Sequence, residues 1–296
     1  MRTVEGLSAR LRAARNFRAQ GFARFDVGFE AIGWIRRDLA ALLRSWPEVF
    51  EFPEGNIRLR PATEADLSAS LAKVAQGLAR DGAIRGWRGE TYAIRANDGA
   101  AVLFHLERAA MHFFGLTSSA AHLNGYTGEG SKLRILIARR AAMKAIDPGM
   151  LDNLVAGGVP SGEDAWQTLL RECGEEAGIA PTLAEKARPA GALRVCREVP
   201  GGLHSEILFI HDLPLPADFA PRNTDGEVSE FLSLDPETLI ERIARGEMTV
   251  EAGLVAVDFA LRHGLLRDTD PAIGAAVAHC LDASIDAVSV YGIVLS

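Results

Sequence analysis

Between Gly157 and Ile179 this chain of 296 residues gathers acidic side chains at a spacing suited to metal chemistry. Gly157 and Gly158 are followed by Glu163, Arg171, Glu172, Glu175, Glu176 and Gly178. The run Ala165 to Ala177 has helical texture, and at about 100° per residue Glu172, Glu175 and Glu176 share an arc of about 100°. Trp166, Leu169, Leu170, Cys173 and Ala177 form the adjacent apolar stripe, so one face can enter a core while its neighbour stays acidic. Like charges at these spacings cost a helix roughly 0.2–0.5 kcal/mol per pair, and they lie near its negative C-terminal end. A hard divalent cation offsets that repulsion, because Mg²⁺ takes oxygen ligands from carboxylates, phosphates and water. Gly157 and Gly158 permit close backbone approach, and Gly178 can end the helix in the left-handed conformation. Gly174, inside the helix, costs about 0.8–1 kcal/mol relative to Ala without an evident use.

Other residues suit a phosphate-handling site. Glu227, after the turn Asp225-Gly226, is a candidate general base or further metal ligand, with a solvated loop acid as the equal alternative. Arg139, Arg140 and Lys144 precede the glycine loop, where cations can hold a terminal phosphate; plain surface charge is the alternative. His122 and Asn124 alternate along an expected strand and could face a ligand, although satisfied buried polar groups are commoner. His204 and His211 lack metal-ligand spacing. Cys173, Cys196 and Cys280 are odd in number and have no CxxC or zinc spacing, which suits a reducing cytoplasm.

The elements that must position these residues fall into two parts. Up to residue 116 the texture is mainly helical: Leu7 to Arg24, Ala31 to Ser45, and Glu64 to Arg80 with Thr63 and Asp66 as its cap. A hairpin follows, with Tyr92, Ile94, Val102, Phe104 and Leu106 alternating across the turn Asn97-Asp98-Gly99. Over 117–296 strands mix with helices. Strands are expected at His122 to Tyr126, Leu133 to Arg139, Gly191 to Glu198, His204 to Asp212 and Val228 to Leu234. Helices are expected at Pro236 to Arg245, Thr249 to Arg262 and Pro271 to Ala287. The fold class is therefore α/β, with a smaller α+β N-terminal domain. The arginine-rich start (Arg2, Arg10, Arg12, Arg15, Arg18) reads as a solvated amphipathic helix rather than a targeting segment, since no apolar signal core or small-residue cleavage site follows.

Composition narrows the partners. With 48% hydrophobic and 24% charged residues the chain has an ordinary globular make-up. Its longest stretch without Asp, Glu, Lys or Arg, Ala109 to Gly128, carries His112, His122 and Asn124 and is unsuited to a bilayer core. A net charge of -7 argues against a general grip on nucleic acid and favours a small-molecule substrate. The oligomeric state stays open, a homodimer included.

Gly157 to Ile179 resembles the Nudix box throughout, with Cys173 in a slot usually held by a bulkier aliphatic residue. The resemblance implies an α/β/α sandwich with a mixed sheet, and hydrolysis of a diphosphate linkage with Mg²⁺ or Mn²⁺. It implies Glu172, Glu175 and Glu176 as metal-binding carboxylates, and leaves Glu175, Glu176 and Glu227 as candidates for the catalytic base. Arg171 becomes a structural ion-pair partner and Glu163 a loop organiser. Further segments are similar to a narrower Nudix group that converts thiamine diphosphate analogues, notably oxidised or damaged ones, to monophosphates. They include His122 to Tyr126, Lys144 with Pro148 to Asn153, Leu215 to Phe219, Asp225 to Val228, and Asp258-Phe259 with Arg262-His263-Gly264. An enzyme for a nucleoside diphosphate derivative (ADP-ribose, coenzyme A or NADH) is the alternative, although the aromatic-proline array of NADH-preferring members is not present after the box. A non-catalytic ligand-binding Nudix domain is weaker, because all box carboxylates are retained.

Overall fold

The computed structural model describes residues 2–96, 100–144, 146–266 and 271–280. The chain opens with α1 (Arg2–Ala13), β1 (Phe22–Val27), β2 (Glu30–Arg36), the single turn α2 (Arg37–Ala40), β3 (Phe50–Glu51), β4 (Ile57–Leu59) and α3 (Glu64–Arg80). A hairpin of β5 (Thr91–Arg95) and β6 (Val102–Glu107) leads through α4 (Met111–Phe114) into the long strand β7 (Thr117–Thr127). Then come β8 (Arg134–Arg140), β9 (Leu151–Asn153), β10 (Val155–Gly158), α5 (Ala165–Ala177) and α6 (Pro181–Ala184). The last elements are β11 (Arg188–Val199), β12 (Gly202–Pro214), β13 (Val228–Leu234), α7 (Pro236–Arg245), α8 (Val250–Arg262) and α9 (Pro271–Ala278).

Seven strands form a mixed sheet in the order β11-β12-β7-β8-β13, with β10 pairing β7 and β9 pairing β8. Only β12 and β7 run parallel within it. Period-two alternation along β7 divides two cores: Ala121 and Leu123 face α5 and α6, whereas Ala120 faces the layer of α7, α8 and α9. The result is an α/β/α sandwich. Residues between Ala23 and Leu116 build a separate core around α3, the four-stranded sheet β2-β1-β4-β3 and the β5-β6 hairpin. Helix α1 packs through Leu7 and Leu11 on the α7–α9 layer, far along the chain from its own position.

The strands and helices expected after Gly115 are observed, and α5, β13 and α7 keep the expected ends, but β7 begins at Thr117 rather than His122, β9 and β10 form where a glycine-rich loop was expected, and the helix from Pro271 ends at Ala278 instead of running on through Cys280. Helix α3 also forms as expected: Thr63 accepts from the Asp66 backbone N–H, and Leu67, Leu71, Val74 and Leu78 line its buried side. The two earlier helices need correction. The first ends at Ala13, and Phe22–Val27 and Glu30–Arg36 are strands instead. The Ala, Leu and Arg on either side of these segments favour helix, but Phe22, Phe25 and Val27 and Ile32, Trp34 and Ile35 suit strands, and β1 gains an antiparallel partner in β2 and a parallel one in β4. Gly33 lets β2 pass α4, since a Cβ there would stand 2.5 Å from the Phe114 carbonyl oxygen. The turn Asn97-Asp98-Gly99 and the expected helix beyond Cys280 lie outside the described residues.

Candidate active site

Helix α5 is fixed before its acids do anything. Asp164 accepts from the Gln167 backbone N–H while the Gln167 side chain accepts from the Asp164 N–H, and Gly178 ends the helix at φ 63°. Leu169, Cys173 and Ala177 are buried on the sheet, and burial pushes the Cys173 thiol up to about 12, so it behaves as a small neutral hydrophobe. The backbone of β10 lies directly on the acidic face. The Ala156 N–H donates to Glu176 Oε2 at 2.9 Å, and a Cβ on Gly157 would come within 2.6 Å of Glu172 Cγ. A Cβ on Gly158 would overlap the hydroxyl of Tyr92 from β5. Gly174 has open space beside it, and nothing in the structure explains its place.

Two overlapping carboxylate groups result. Glu172, Glu175 and Asp225 form one, and Glu176, Asp225 and Glu227 the other, each with oxygens within 4.8 Å of one another. Asp225, marked in the sequence only as a turn residue within the segment Asp225 to Val228, joins both from the loop before β13. Such all-oxygen donor sets fit a hard divalent cation. Burial, followed by the nearby Glu172 charge, raises Glu176 to about 8; burial also raises Glu172. Positive charge among these acids is therefore required to keep both ionised. Arg171 supplies part of it, donating to Glu163 at 3.0 Å, Glu172 at 3.0 Å and Glu175 at 2.8 Å. Hydrogen bonding from Arg171, with further help from Thr168, holds the Glu163 carboxyl below its ordinary range against modest desolvation. Glu163 thereby ties the preceding loop to the helix.

A cleft opens beside the second group, lined by Arg140, Lys144, Asp152, Asn153, Glu176 and Glu227. The Lys144 Nζ pairs with Glu227 Oε2, and burial lowers the Lys144 pKa. Arg140 pairs with Asp152 at 2.8 Å. Its neighbour Arg139 points to the other side of β8 and is used by Glu230 at 2.7 Å and the Gly149 carbonyl at 3.0 Å. Arg140, rather than Arg139, thus stands at the cleft. Arg140→Ala is expected to lower kcat/KM about tenfold or more by removing a charged donor and stranding Asp152, whereas Arg139→Ala should stay within a few-fold. Steady-state kinetics on the two variants checks the contrast.

His122 and Asn124 are buried behind the cleft wall in a continuous polar network. His122 Nδ1 lies 2.8 Å from Asn153 Oδ1, Asn153 donates to Asn124 Oδ1 at 3.3 Å, and Asn124 donates to Asp212 Oδ1 at 2.9 Å. Arg262 donates from NH2 to Asp212 at 3.1 Å and from Nε to Asp258 at 2.7 Å. Burial works to raise Asp212, but the Arg262 hydrogen bond outweighs it and the carboxyl is held low. Asn153, which the sequence marked only as part of a segment, carries this network to the cleft.

The N-terminal core also reaches the site. The Ser161 N–H donates to the Thr91 carbonyl at 2.8 Å, Ser161 Oγ lies 2.8 Å from His105 Nδ1, and Arg88 NH1 stands 3.9 Å from Glu227 Oε1. No local pattern in the sequence marks Arg88, Tyr92 or His105 as neighbours of the box.

Comparison with known proteins gives the family. Residues 6–118 match a family described as a domain of unknown function (DUF4743), and residues 120–251 match the NUDIX domain. Nudix hydrolase 24, chloroplastic, of Arabidopsis thaliana is 34% identical over 84% of this chain and 70% of its own length. Nudix hydrolase 20, chloroplastic, of the same plant is 33% identical over 83% of this chain and 69% of its own. Among solved structures, DR0079 from Deinococcus radiodurans is 22% identical with a TM-score of 0.45, over 57% of this chain and 98% of that one. No helix among the described residues is long and apolar enough to cross a membrane.

Proposed function

Because the chain belongs to the Nudix hydrolase family, we propose that it hydrolyses the diphosphate of thiamine diphosphate or its oxidised or damaged analogues, giving the monophosphate and phosphate. The observation that carries the metal-dependent hydrolytic part is the pair of carboxylate groups facing a cleft that also holds Lys144 and Arg140. The thiamine part is supported by the way the segments resembling that group converge. His122 and Asn124, Asn153, and Asp258 with Arg262 are far apart in sequence, yet they share one hydrogen-bonded network that ends at the cleft.

In this reading Glu172, Glu175 and Asp225, and Glu176, Asp225 and Glu227, hold Mg²⁺ or Mn²⁺. Bound divalent ions would neutralise diphosphate charge and make water a better nucleophile. Lys144 and Arg140 hold phosphate oxygens and orient the terminal phosphorus. Water adds to that phosphorus as the bond to the bridging oxygen breaks, and the pair of electrons leaves with the monophosphate. The water proton passes to a carboxylate of this cluster; half-exposed Glu227 is our candidate for that base when it is not itself a metal ligand, beside Glu175 and Glu176. Asn153, steadied by His122 and Asn124, sets the shape of the wall.

A panel of thiamine, oxothiamine, nucleotide and sugar diphosphates with Mg²⁺, with products identified by mass, tests the assignment. Thiamine-class diphosphates are expected to give monophosphate plus phosphate, and a chelator to stop turnover. AMP from nucleotide diphosphate derivatives, with thiamine diphosphates untouched, would replace this substrate class.

A further inference from the structure

We propose that Arg88 of the N-terminal domain is a substrate-binding residue of this site and grips a phosphoryl oxygen of the bound diphosphate. The inference rests on the diphosphatase reading above and adds to it what the N-terminal domain contributes.

Arg88 is held in place by its backbone, and among the described residues its guanidinium has only the long ion pair to Glu227. Its N–H donates to Glu107 Oε1 at 2.9 Å, and Glu107 is buried and also accepts from the Ala109 N–H at 3.3 Å. The guanidinium reaches Glu227 Oε1 only to 3.9 Å, too far for a hydrogen bond, while Lys144 takes the other oxygen of the same carboxylate. Two cations therefore flank Glu227, and the tighter place belongs to Lys144.

The surface that carries Arg88 is joined to the glycine loop at several points. Thr91 accepts from Ser161 at 2.8 Å, His105 meets the Ser161 hydroxyl at 2.8 Å, and the Tyr92 hydroxyl fills the space where Gly158 lacks a Cβ. Arg88 is thus positioned relative to the acids by the same contacts that shape the loop.

Electrostatics gives the guanidinium its partner. When divalent ions occupy the group of Glu176, Asp225 and Glu227, the Glu227 charge is shared with them and with Lys144, so its pull on the neighbouring arginine weakens. An anion arriving there offers the guanidinium a closer and more highly charged partner than Glu227. A diphosphate brings several negative oxygens, and the planar fork of arginine matches phosphate geometry better than an ammonium does.

The test uses the full-length protein with Mg²⁺ and methylenediphosphonate, a non-hydrolysable diphosphate, by calorimetry, beside Mn²⁺ titration and thermal unfolding. Arg88→Ala is expected to weaken methylenediphosphonate binding about tenfold or more, with unchanged unfolding temperature and Mn²⁺ affinity no weaker than wild type. Arg88→Lys should recover part of the loss. Arg85→Ala, three residues away with its guanidinium on the Gly82 carbonyl, should bind like wild type. In kinetics the Arg88→Ala loss should fall more on KM than on kcat. Wild-type affinity in both Arg88 variants, or an equal loss in Arg85→Ala, would overturn the proposal while leaving the diphosphatase reading intact. A wild-type protein that binds no methylenediphosphonate would overturn both.

Discussion

Glu176→Gln is expected to lower kcat by about a thousandfold or more while the protein remains folded. Carboxylates that hold a catalytic metal contribute several kcal/mol to transition-state stabilisation, and about 1.4 kcal/mol corresponds to each tenfold. Stability should survive because glutamine keeps an oxygen to accept from the Ala156 N–H and nearly the same volume. The pH dependence of stability separates this role from a structural one. Without metal, burial raises the Glu176 carboxyl to about 8 from its ordinary 4.5, so the folded state holds a proton that the unfolded state has released. Metal-free protein should therefore lose stability from this group as pH rises from about 4.5 to 8. Glu176→Gln should lack that loss, and added Mg²⁺ should reverse it in wild type only. Melting curves with and without chelator read the difference; near-normal turnover in the variant would place the chemistry elsewhere.

The second large effect concerns stability, at the seam between α4 and the mixed sheet. His204 Nε2 lies 3.2 Å from Glu251 and 3.5 Å from Glu206, and Nδ1 lies 2.9 Å from Nε2 of His112. Burial opposes a charged imidazole, but the two carboxylates outweigh it and push His204 up to about 10. Burial, and then the His204 charge, push His112 down to about 4, so neutral His112 accepts from the doubly protonated His204. For Glu206 and Glu251 burial favours the neutral acid, yet His204 reverses it and both are held low. Removing the cation leaves Glu206 with the Ser118 hydroxyl at 3.0 Å but no positive partner, while Glu251 keeps Arg197 at 2.8 Å, and breaking such a pair costs about 3–5 kcal/mol. His204→Ala should lower Tm by roughly 10 °C, taking about 2–4 °C per kcal/mol for a chain of this class.

The sign of the pH effect follows from the direction of each shift. His204 is raised, so its contribution is complete below its unfolded value near 6.5 and is lost as pH climbs through about 10. Glu206 and Glu251 are lowered, so theirs is present above the ordinary carboxyl value near 4.5 and is lost on acidification. Between pH 7 and 10 the difference in Tm between wild type and His204→Gln should shrink steadily. A constant difference across that interval would mean that the imidazolium does not form.

Much of the catalytic half was readable from the chain alone, because the relevant signals are local. The acidic arc of Glu172, Glu175 and Glu176, the apolar stripe through Leu169 and Cys173, and the stop at Gly178 all depend on helical period and on one glycine. The strands after Gly115 alternate clearly enough to be placed, since one face of each meets a helix layer. Tertiary structure alone decided which residues meet. Phe22–Val27 and Glu30–Arg36 carry aromatic and β-branched residues that suit strands, but they are too short and too closely flanked by Ala, Leu and Arg for that signal to outweigh a helical reading until β4 and α4 lie against them. Arg140 rather than Arg139 faces the cleft because the register with β9 and β13 sets the pleat. Asp225, Asn153 and Arg88 reach the box from separate loops and strands, the last from another core altogether. Helical period and turn chemistry act over a few residues, whereas a site assembled from distant segments depends on pairings that only the folded chain creates.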